Sequence, residues 1–358
     1  MARLPRLPGW PRLSAIALAL TLGGLGGWAA NLLHLPLAWM IGAMLATSVA
    51  ALAGAPIAMA APLRTLMIAV LGVMLGSGFT PEILASAGTW APSLAAIALY
   101  VAACGLAGLL YFRLLCNYDP VTAYFAAMPG GLSEMVLVGT EMGGDGRIIS
   151  LIHATRIMLV VLAIPFAFTL GGGLDLGDRP AMGPALLDLS AVDYAFLGLS
   201  GLVGFLVARW FKVPAAAVVG PMVASALVHL AGMTTAKPPA EIVACAQVAV
   251  GTALGARFAG TPLRLIGRAL VASLGVTALL VAITVAFALG LHAATGLPTG
   301  PLVLAFAPGG LAEMSLIAIA LGADAAFVAI HHIVRIFLIV VLAPLAFRLL
   351  GRPGAGRP

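Results

Sequence analysis

The sequence predicts an all-α polytopic membrane protein with two inverted repeats. Each repeat has about five spanning helices and a Pro-Gly-Gly re-entrant hairpin or broken helix. Hydrophobic residues fill 62% of the 358 positions and charged residues only 8%, whereas soluble chains carry about 25% charged residues. Apolar stretches of membrane-spanning length recur along the chain. The segment Pro-Gly-Gly-Leu-Ser-Glu-Met at 129–135 returns in the second half as Pro-Gly-Gly-Leu-Ala-Glu-Met at 308–314.

Six apolar segments in each half account for the predicted helices. In the first half they fall at 13–33, 37–53, 64–79, 90–112, 121–142 and 146–170. In the second half they fall at 193–211, 214–233, 240–259, 265–291, 300–322 and 325–350. The arginines before the first segment resemble the start of a signal peptide. However, that segment is of full membrane length and has a counterpart in the second half, so we expect it to be the first helix of the fold.

The duplication covers almost the whole chain. Gly72 and Gly76 align with Gly251 and Gly255, and similar matches surround them. The predicted organisation is a cytoplasmic N-terminus (1–12), a first repeat (13–170), an acidic extracytoplasmic linker (171–192), a second repeat (193–350) and a cytoplasmic tail (351–358).

The distribution of Lys and Arg favours inverted repeats, because cytoplasmic loops of membrane proteins are enriched in these residues. If the fifth segment of each half is a re-entrant hairpin, 14 basic residues are cytoplasmic and 2 lie outside. If all six segments span, the counts are 10 and 6. The inverted arrangement places both termini in the cytoplasm. The alternative is a kinked spanning helix in which Pro-Gly-Gly serves packing alone.

The two Pro-Gly-Gly sequences predict breaks at membrane depth. Pro removes a backbone donor and Gly adds conformational freedom. The flanking pieces, 121–128 and 132–142, are too short to span at about 1.5 Å per residue. Irregular backbone is tolerated in a membrane only where it is buried in protein or lines a wet cavity. A duplicated break therefore indicates a binding site.

Polar residues follow each break in the same order. Asp145 stands just before a long apolar helix, where it is expected to be an N-cap, with ion coordination as the alternative. Arg156 lies about 16 Å further along that helix, near the centre of a hydrocarbon layer about 30 Å thick. His153 shares its helix face. The second half repeats this order with Asp324, His332 and Arg335.

A buried Arg is costly in lipid, by about 2.5 to over 10 kcal/mol, so each is expected to have a partner. Glu134 and Glu313, about one turn beyond each break, are the expected partners. One interpretation is functional: the backbone donors of the breaks and the arginines hold an anion or carboxylate, and Glu and His exchange a proton or cation. The other is two static Glu–Arg pairs with structural histidines. The predicted substrate-binding residues are Gly130, Gly131, Glu134, His153, Arg156, Gly309, Gly310, Glu313, His332 and Arg335.

Other site types are not expected. The three cysteines have no metal-ligand spacing. The sequence contains no phosphate loop, dinucleotide fingerprint or Ser/His/Asp order, so no metal or cofactor is predicted. The basic residues are spread over short loops, so direct binding of nucleic acid is not predicted either. His331 has no counterpart in the first half and is a weaker candidate.

The duplicated signature Pro-Gly-Gly-Leu-x-Glu-Met, Asp, His-x-x-Arg resembles the membrane AbrB family, built from two copies of an AbrB duplication module. The resemblance covers residues 13–350. Members are commonly labelled regulators of gene expression or putative ammonia monooxygenases. The repeat arrangement also resembles cation/proton antiporters and anion transporters. Oxygen chemistry needs clustered metal ligands, but each His-x-x-Arg supplies one imidazole, so a monooxygenase is not expected.

We therefore expect a secondary-transporter-like carrier of a small anionic or zwitterionic solute, in a bacterial inner membrane. Its expected partners are the bilayer, the solute and a coupling proton or cation, and a homo-oligomer is left open. The alternative is a membrane-embedded regulator of gene expression that acts through a partner protein or through its solute. An oxidising enzyme is a third hypothesis, which metal analysis would exclude.

Overall fold

The computed structural model describes residues 10–170 and 182–350, and every regular element in these ranges is helical. The first half contains α1 (Trp10–Leu32), α2 (Ala38–Leu52), α3 (Ala61–Gly76), α4 (Pro81–Ser86), α5 (Ala91–Leu114), α6 (Pro120–Ala127), α7 (Leu132–Glu141) and α8 (Gly146–Leu170). The second half contains α9 (Ala191–Trp210), α10 (Ala216–Leu230), α11 (Ala240–Gly255), α12 (Leu263–Thr295), α13 (Thr299–Phe306), α14 (Leu311–Ala320) and α15 (Ala325–Leu350). The predicted tail, most of the predicted N-terminus and linker residues 171–181 lie outside the described residues.

The prediction of an all-helical, multi-pass membrane protein is confirmed. Within the described ranges, seven helical stretches are long and apolar enough to cross a membrane. Three helices expected to cross, α2, α3 and α10, have only 15 or 16 residues, fewer than the roughly 20 that a full crossing takes. The predicted segments 37–53 and 214–233 overestimate α2 and α10 because apolar residues continue into the turns at the helix ends, whereas the predicted segment 64–79 has the length of α3 but begins three residues too late.

The backbone repeats at a nearly constant offset along the chain. Helix α10 has the same length as its counterpart α2, and α13 has the same length as its counterpart α6. Left-handed backbone conformations recur at equivalent positions even where the residue type differs, as at Leu37 and Ala215 or Asn117 and Gly296. Because single αL residues shape the turns between helices, the turns repeat together with the helices.

Six helices, α1 to α3 and α9 to α11, pack into one group. Glycine lets neighbouring helices approach closely. A Cβ at Gly42 would overlap the carbonyl oxygen of Gly26 on α1, and a Cβ at Gly220 would overlap that of Gly204 on α9. The α1–α2 and α9–α10 pairs therefore use the same close contact, once in each half.

The two halves interlock through the third helix of each. Helix α11 lies along α2, with Gly251 against Met40 and Gly255 against Thr47, so the two helices run parallel. Helix α3 lies along α10 in the same way, through Gly72 and Gly76. Each half therefore supplies the packing surface for the other half's second helix.

The remaining long helices form a second group around α5 and α12, which pack against each other and against α8 and α15. Its centre is unusually aromatic. Tyr100 is fully buried, its hydroxyl lies 3.0 Å from the Thr284 hydroxyl, and its ring meets Phe306 edge-on at 5.1 Å. The short helices at the two Pro-Gly-Gly breaks pack into this group.

Adding a single methyl group at the glycine contacts tests this packing. Gly42→Ala and Gly220→Ala should each lower the free energy of unfolding by about 1–3 kcal/mol, because the new Cβ overlaps backbone. Gly24→Ala and Gly198→Ala are matched controls, since a Cβ there meets nothing within 4 Å. The controls should be neutral or stabilising by up to about 1 kcal/mol, because Ala favours helix. Equal melting temperatures for all four variants in detergent would contradict the predicted close approach.

Candidate binding site at the two helix breaks

Both Pro-Gly-Gly sequences interrupt a helix. Helix α6 ends at Ala127 and α7 begins at Leu132, while α13 ends at Phe306 and α14 begins at Leu311. The first backbone bonds of α7 and α14 run from Met135 N–H to the Gly131 carbonyl and from Met314 N–H to the Gly310 carbonyl, each 3.0 Å. Each break therefore presents carbonyls from one short helix and free N–H groups from the next, with opposite partial charges.

Arg156 on α8 reaches the carbonyl side of the first break. It is 1% exposed. Its Nη1 donates to the Met128 carbonyl over 3.2 Å, and its Nη2 donates to His153 Nδ1 over 3.0 Å. Among the described residues, its Nε–H has no hydrogen-bond partner. The guanidinium therefore lies at the negative end of α6 and keeps its Nε–H unused.

Arg335 on α15 occupies the same place at the second break and is 3% exposed. Its Nη1 donates to the Phe306 and Ala307 carbonyls over 3.3 and 2.6 Å. Its Nη2 donates to the Gly309 carbonyl over 2.9 Å and to His332 Nδ1 over 3.0 Å. Its Nε–H also lacks a hydrogen-bond partner in the described part of the chain.

The two histidines position the arginines. His153 Nε2 lies 2.9 Å from the Phe125 carbonyl, and His332 Nε2 lies 3.0 Å from the Leu304 carbonyl. A carbonyl only accepts, so each Nε2 carries the proton, and each Nδ1 accepts from its arginine. This assignment makes both rings neutral. A second proton on Nδ1 would replace the acceptor that each arginine uses, so these contacts favour a positioning role over proton exchange.

The expected Glu–Arg ion pairs are not found among the described residues, where no carboxylate lies within 4.0 Å of either guanidinium. Instead, each glutamate bends back over its own break. The Glu134 carboxylate lies where a Cβ on Gly131 would stand, and Glu313 does the same at Gly310. Each Glu is the third residue of its helix, the position from which a carboxylate reaches back to free N–H groups. Local contact with a positive helix end therefore replaces the predicted long-range pair.

The two breaks have unequal surroundings. Helix α14 packs against α3 and is buried from Leu311 to Ala318 except at half-buried Glu313, whereas α7 exposes Ser133, Leu137 and Thr140. Glu313 also lies within electrostatic range of Arg64 on α3. The helices that follow the two Pro-Gly-Gly breaks thus have different environments, since α14 is mostly buried and α7 is partly exposed.

Asp145 and Asp324 lie at the starts of α8 and α15, away from the arginines. The Asp145 carboxylate accepts from the N–H groups of Arg147 and Ile148 over 2.8 and 3.1 Å. The Asp324 carboxylate accepts from Phe327 N–H over 3.0 Å. Both therefore have the geometry of helix N-caps.

Two residues of α5 that lie near the arginines were not predicted from the sequence. Tyr100 and Cys104 lie within electrostatic range of both Arg156 and Arg335. Their positions in the second half are Leu279 and Ile283, so a search for matched pairs passes over them. The available signal was the tyrosine in the middle of an apolar segment.

His331, the weaker candidate, forms a separate buried contact. Its Nε2 lies 2.8 Å from the Ser93 hydroxyl on α5, and its Nδ1 lies 2.7 Å from the Phe327 carbonyl. It therefore joins α15 to α5 and does not bind either arginine.

Two apolar clefts of about 720 and 740 Å³ lie in the group formed by α1 to α3 and α9 to α11. One opens between α3 and α9 and the other between α1 and α11. Neither is lined by a predicted site residue. Across the described parts of the chain, no group of three or more His, Cys, Asp and Glu is arranged to hold a metal ion.

Comparisons with known proteins agree over nearly the whole chain. A family model described as "Transition state regulatory protein AbrB" matches residues 39–351. The "Uncharacterized protein YhjN" of Bacillus subtilis (strain 168) is 29% identical over 354 residues, covering 91% of this chain and 90% of that protein. The "Putative regulator AbrB" of Escherichia coli (strain K12) is 25% identical over 339 residues, covering 94% of each chain.

Substituting the aspartates separates capping from ion binding. Asp145→Ala and Asp324→Ala should each destabilise the protein by about 1 kcal/mol, because a cap is lost. Asp145→Asn and Asp324→Asn should change stability by only a few tenths of a kcal/mol, since Asn caps as well as Asp. Thermal unfolding in detergent measures both. Asn variants as damaging as the Ala variants would favour ion coordination.

Proposed function

The chain belongs to the AbrB family, and from this premise we propose that it is a secondary-transporter-like carrier of a small anionic or zwitterionic solute. The proposed site consists of the two breaks, with Arg156 and Arg335 at its centre. The supporting observation is that both guanidinium groups are almost fully buried, have no carboxylate partner among the described residues and keep an unpartnered Nε–H. Buried charges are normally paired, so this pair of arginines suits an anionic group from outside the chain.

The helix directions support inverted repeats in this proposal. Helices α1 and α2 run antiparallel, with Gly23 against Ala43 and Gly27 against Trp39. The connection to α3 returns to the start of α1, where Ala58 N–H donates to the Ala15 carbonyl, so α3 runs opposite to α2. Helix α11, the counterpart of α3, runs parallel to α2. Counterparts that run in opposite directions are expected from two halves that enter the membrane from opposite sides.

In the proposed arrangement each pair of short helices, α6–α7 and α13–α14, is a re-entrant hairpin. The Lys and Arg distribution supports cytoplasmic termini, and the proposed location is a bacterial inner membrane. Alternating access in carriers with inverted repeats occurs by movement of one part around a central site. The covered α14 and the open α7 support this, because a carrier in a single access state exposes its two halves unequally.

A second candidate function follows from the names of the related proteins. The family description and the E. coli relative both carry the word regulator or regulatory. A membrane-embedded regulator would act through a soluble partner or through the solute it moves. Co-purification of a regulator, together with no solute flux in proteoliposomes, would favour this function over the carrier.

Removing one site charge tests the carrier proposal. Arg156→Ala and Glu313→Gln should each reduce solute flux in proteoliposomes by about 10- to 100-fold, because a hydrogen bond to a charged group contributes about 1.5–3 kcal/mol. A panel of labelled small anions and zwitterions supplies the solute. Arg209→Ala is the control, since Arg209 is exposed on α9. Undiminished flux in both site variants, at equal expression, would refute the site assignment.

Cysteine labelling tests the inverted arrangement. The three native cysteines are replaced by Ala, and Asp145→Cys and Asp324→Cys are made separately. An impermeant maleimide should label position 145 only from the cytoplasmic side and position 324 only from the outside, because equivalent positions lie on opposite faces of inverted repeats. Intact cells and inside-out vesicles give the two readings. Labelling of both positions from one face would contradict the inverted arrangement.

A further inference from the structure

We propose that the two breaks form one site for one monovalent carboxylate anion, shared by Arg156 and Arg335, and not two separate sites or a site for a zwitterion. This inference rests on the proposed function and makes it more specific, because it fixes the charge and number of the bound solute. Its starting point is that the Nε–H group of each arginine has no hydrogen-bond partner within residues 10–170 and 182–350.

The two arginines belong to a single region of the protein. The tip of the first break touches the second half, since a Cβ on Gly130 would lie 2.9 Å from Ile339. Ile339 is one turn beyond Arg335 on α15. Arg335 is within electrostatic range of Arg156, and both arginines are within that range of Tyr100 and Cys104 of α5. A solute at this place is therefore in the field of both charges.

The charge of the site decides the charge of the solute. The two guanidinium groups carry two positive charges. Each lies at the carbonyl end of an eight-residue helix, which contributes about half a negative charge. His153 and His332 are neutral in their hydrogen-bonded forms. Glu134 and Glu313 lie over the positive ends of α7 and α14, which offset part of their charge. By the same count, the glutamate ends of the breaks keep about one negative charge, and the arginine ends, on the opposite side of each break, keep about one positive charge.

The positive charge that remains beside the arginines fits a monoanion better than a dianion or a zwitterion. A dianion would leave an excess negative charge in a buried place, where unpaired charge is costly. A zwitterion would bring an ammonium group to two arginines that have no carboxylate within 4.0 Å among the described residues. A monocarboxylate has two oxygens, one for each Nε–H, and each bond would be charge-assisted.

Three solutes of similar size and different charge test this inference on the purified wild-type protein. Propionate carries one negative charge, glycine is a zwitterion, and malonate carries two negative charges. A ligand that binds the folded state raises the melting temperature in a saturable way. We expect propionate to do so, with affinity at least about tenfold higher than that of glycine or malonate, and calorimetry to give one propionate per chain.

Arginine variants test whether the site is shared. Arg156→Gln and Arg335→Gln should each abolish propionate binding, because either change removes one of the two donors and the residual charge. Arg209→Gln, on the exposed surface of α9, is the control and should bind as wild type. If a Gln variant does not fold, Arg156→Lys and Arg335→Lys keep the charge but lose Nε–H, and should weaken propionate binding about tenfold. The comparison of propionate, glycine and malonate uses the wild-type protein, so its result does not depend on whether the variants fold.

The outcomes separate this inference from the carrier proposal. Two propionates per chain, binding that survives in either Gln variant, or glycine or malonate bound as tightly as propionate would overturn the shared monoanion site. Propionate binding without flux in proteoliposomes would uphold the site and refute the carrier. Flux of another solute with no effect of propionate on melting would uphold the carrier and overturn this inference. If the protein shows no propionate binding and no solute flux, both the shared site and the carrier proposal are refuted.

Discussion

The contact on which this arrangement depends is a buried guanidinium held by the carbonyl end of an interrupted helix. Arg156 binds the carbonyl that ends α6, and Arg335 binds three carbonyls at the end of α13. Each bond satisfies backbone groups that the Pro-Gly-Gly break leaves open. The charge in turn is tolerated in this buried position because those carbonyls face it. Break and arginine therefore require each other, and this explains why they occur together in both halves.

The same reasoning accounts for the glutamates. A break has a positive end as well as a negative one, and the Glu three residues after the second Gly covers it. Each half thus places its glutamate and its arginine at opposite ends of one helix break. In the proposed carrier this separation matters, because a direct Glu–Arg pair would neutralise the arginine. The arginines instead keep an unused donor each, in a region that also contains the edge-on pair of Tyr100 and Phe306.

The sequence predicted the features that local chemistry determines. The two breaks, the burial of the arginines and the capping geometry of Asp145 and Asp324 all follow from one short stretch of residues each. The partner of Arg156 could not be predicted, because the Glu134 carboxylate can contact either the N-terminus of its own helix or the arginine across the break. The contact with the nearer group, the N-terminus of α7, is the one that forms. The pairing of α2 with α11 also did not follow, since it depends on glycines from distant parts of the chain meeting face to face. Helix length was overestimated where apolar residues continue into turns.

In the proposed site, the two arginines hold one anion between the halves and do not pair with the protein's own carboxylates. Anomalous diffraction from crystals grown in bromide tests this arrangement, because bromide is a monovalent anion with a specific anomalous signal. We expect one peak within hydrogen-bonding reach of the Nε–H groups of both Arg156 and Arg335, with Glu134 and Glu313 still folded over Gly131 and Gly310. A map without such a peak, in which a glutamate carboxylate contacts either arginine, would contradict it.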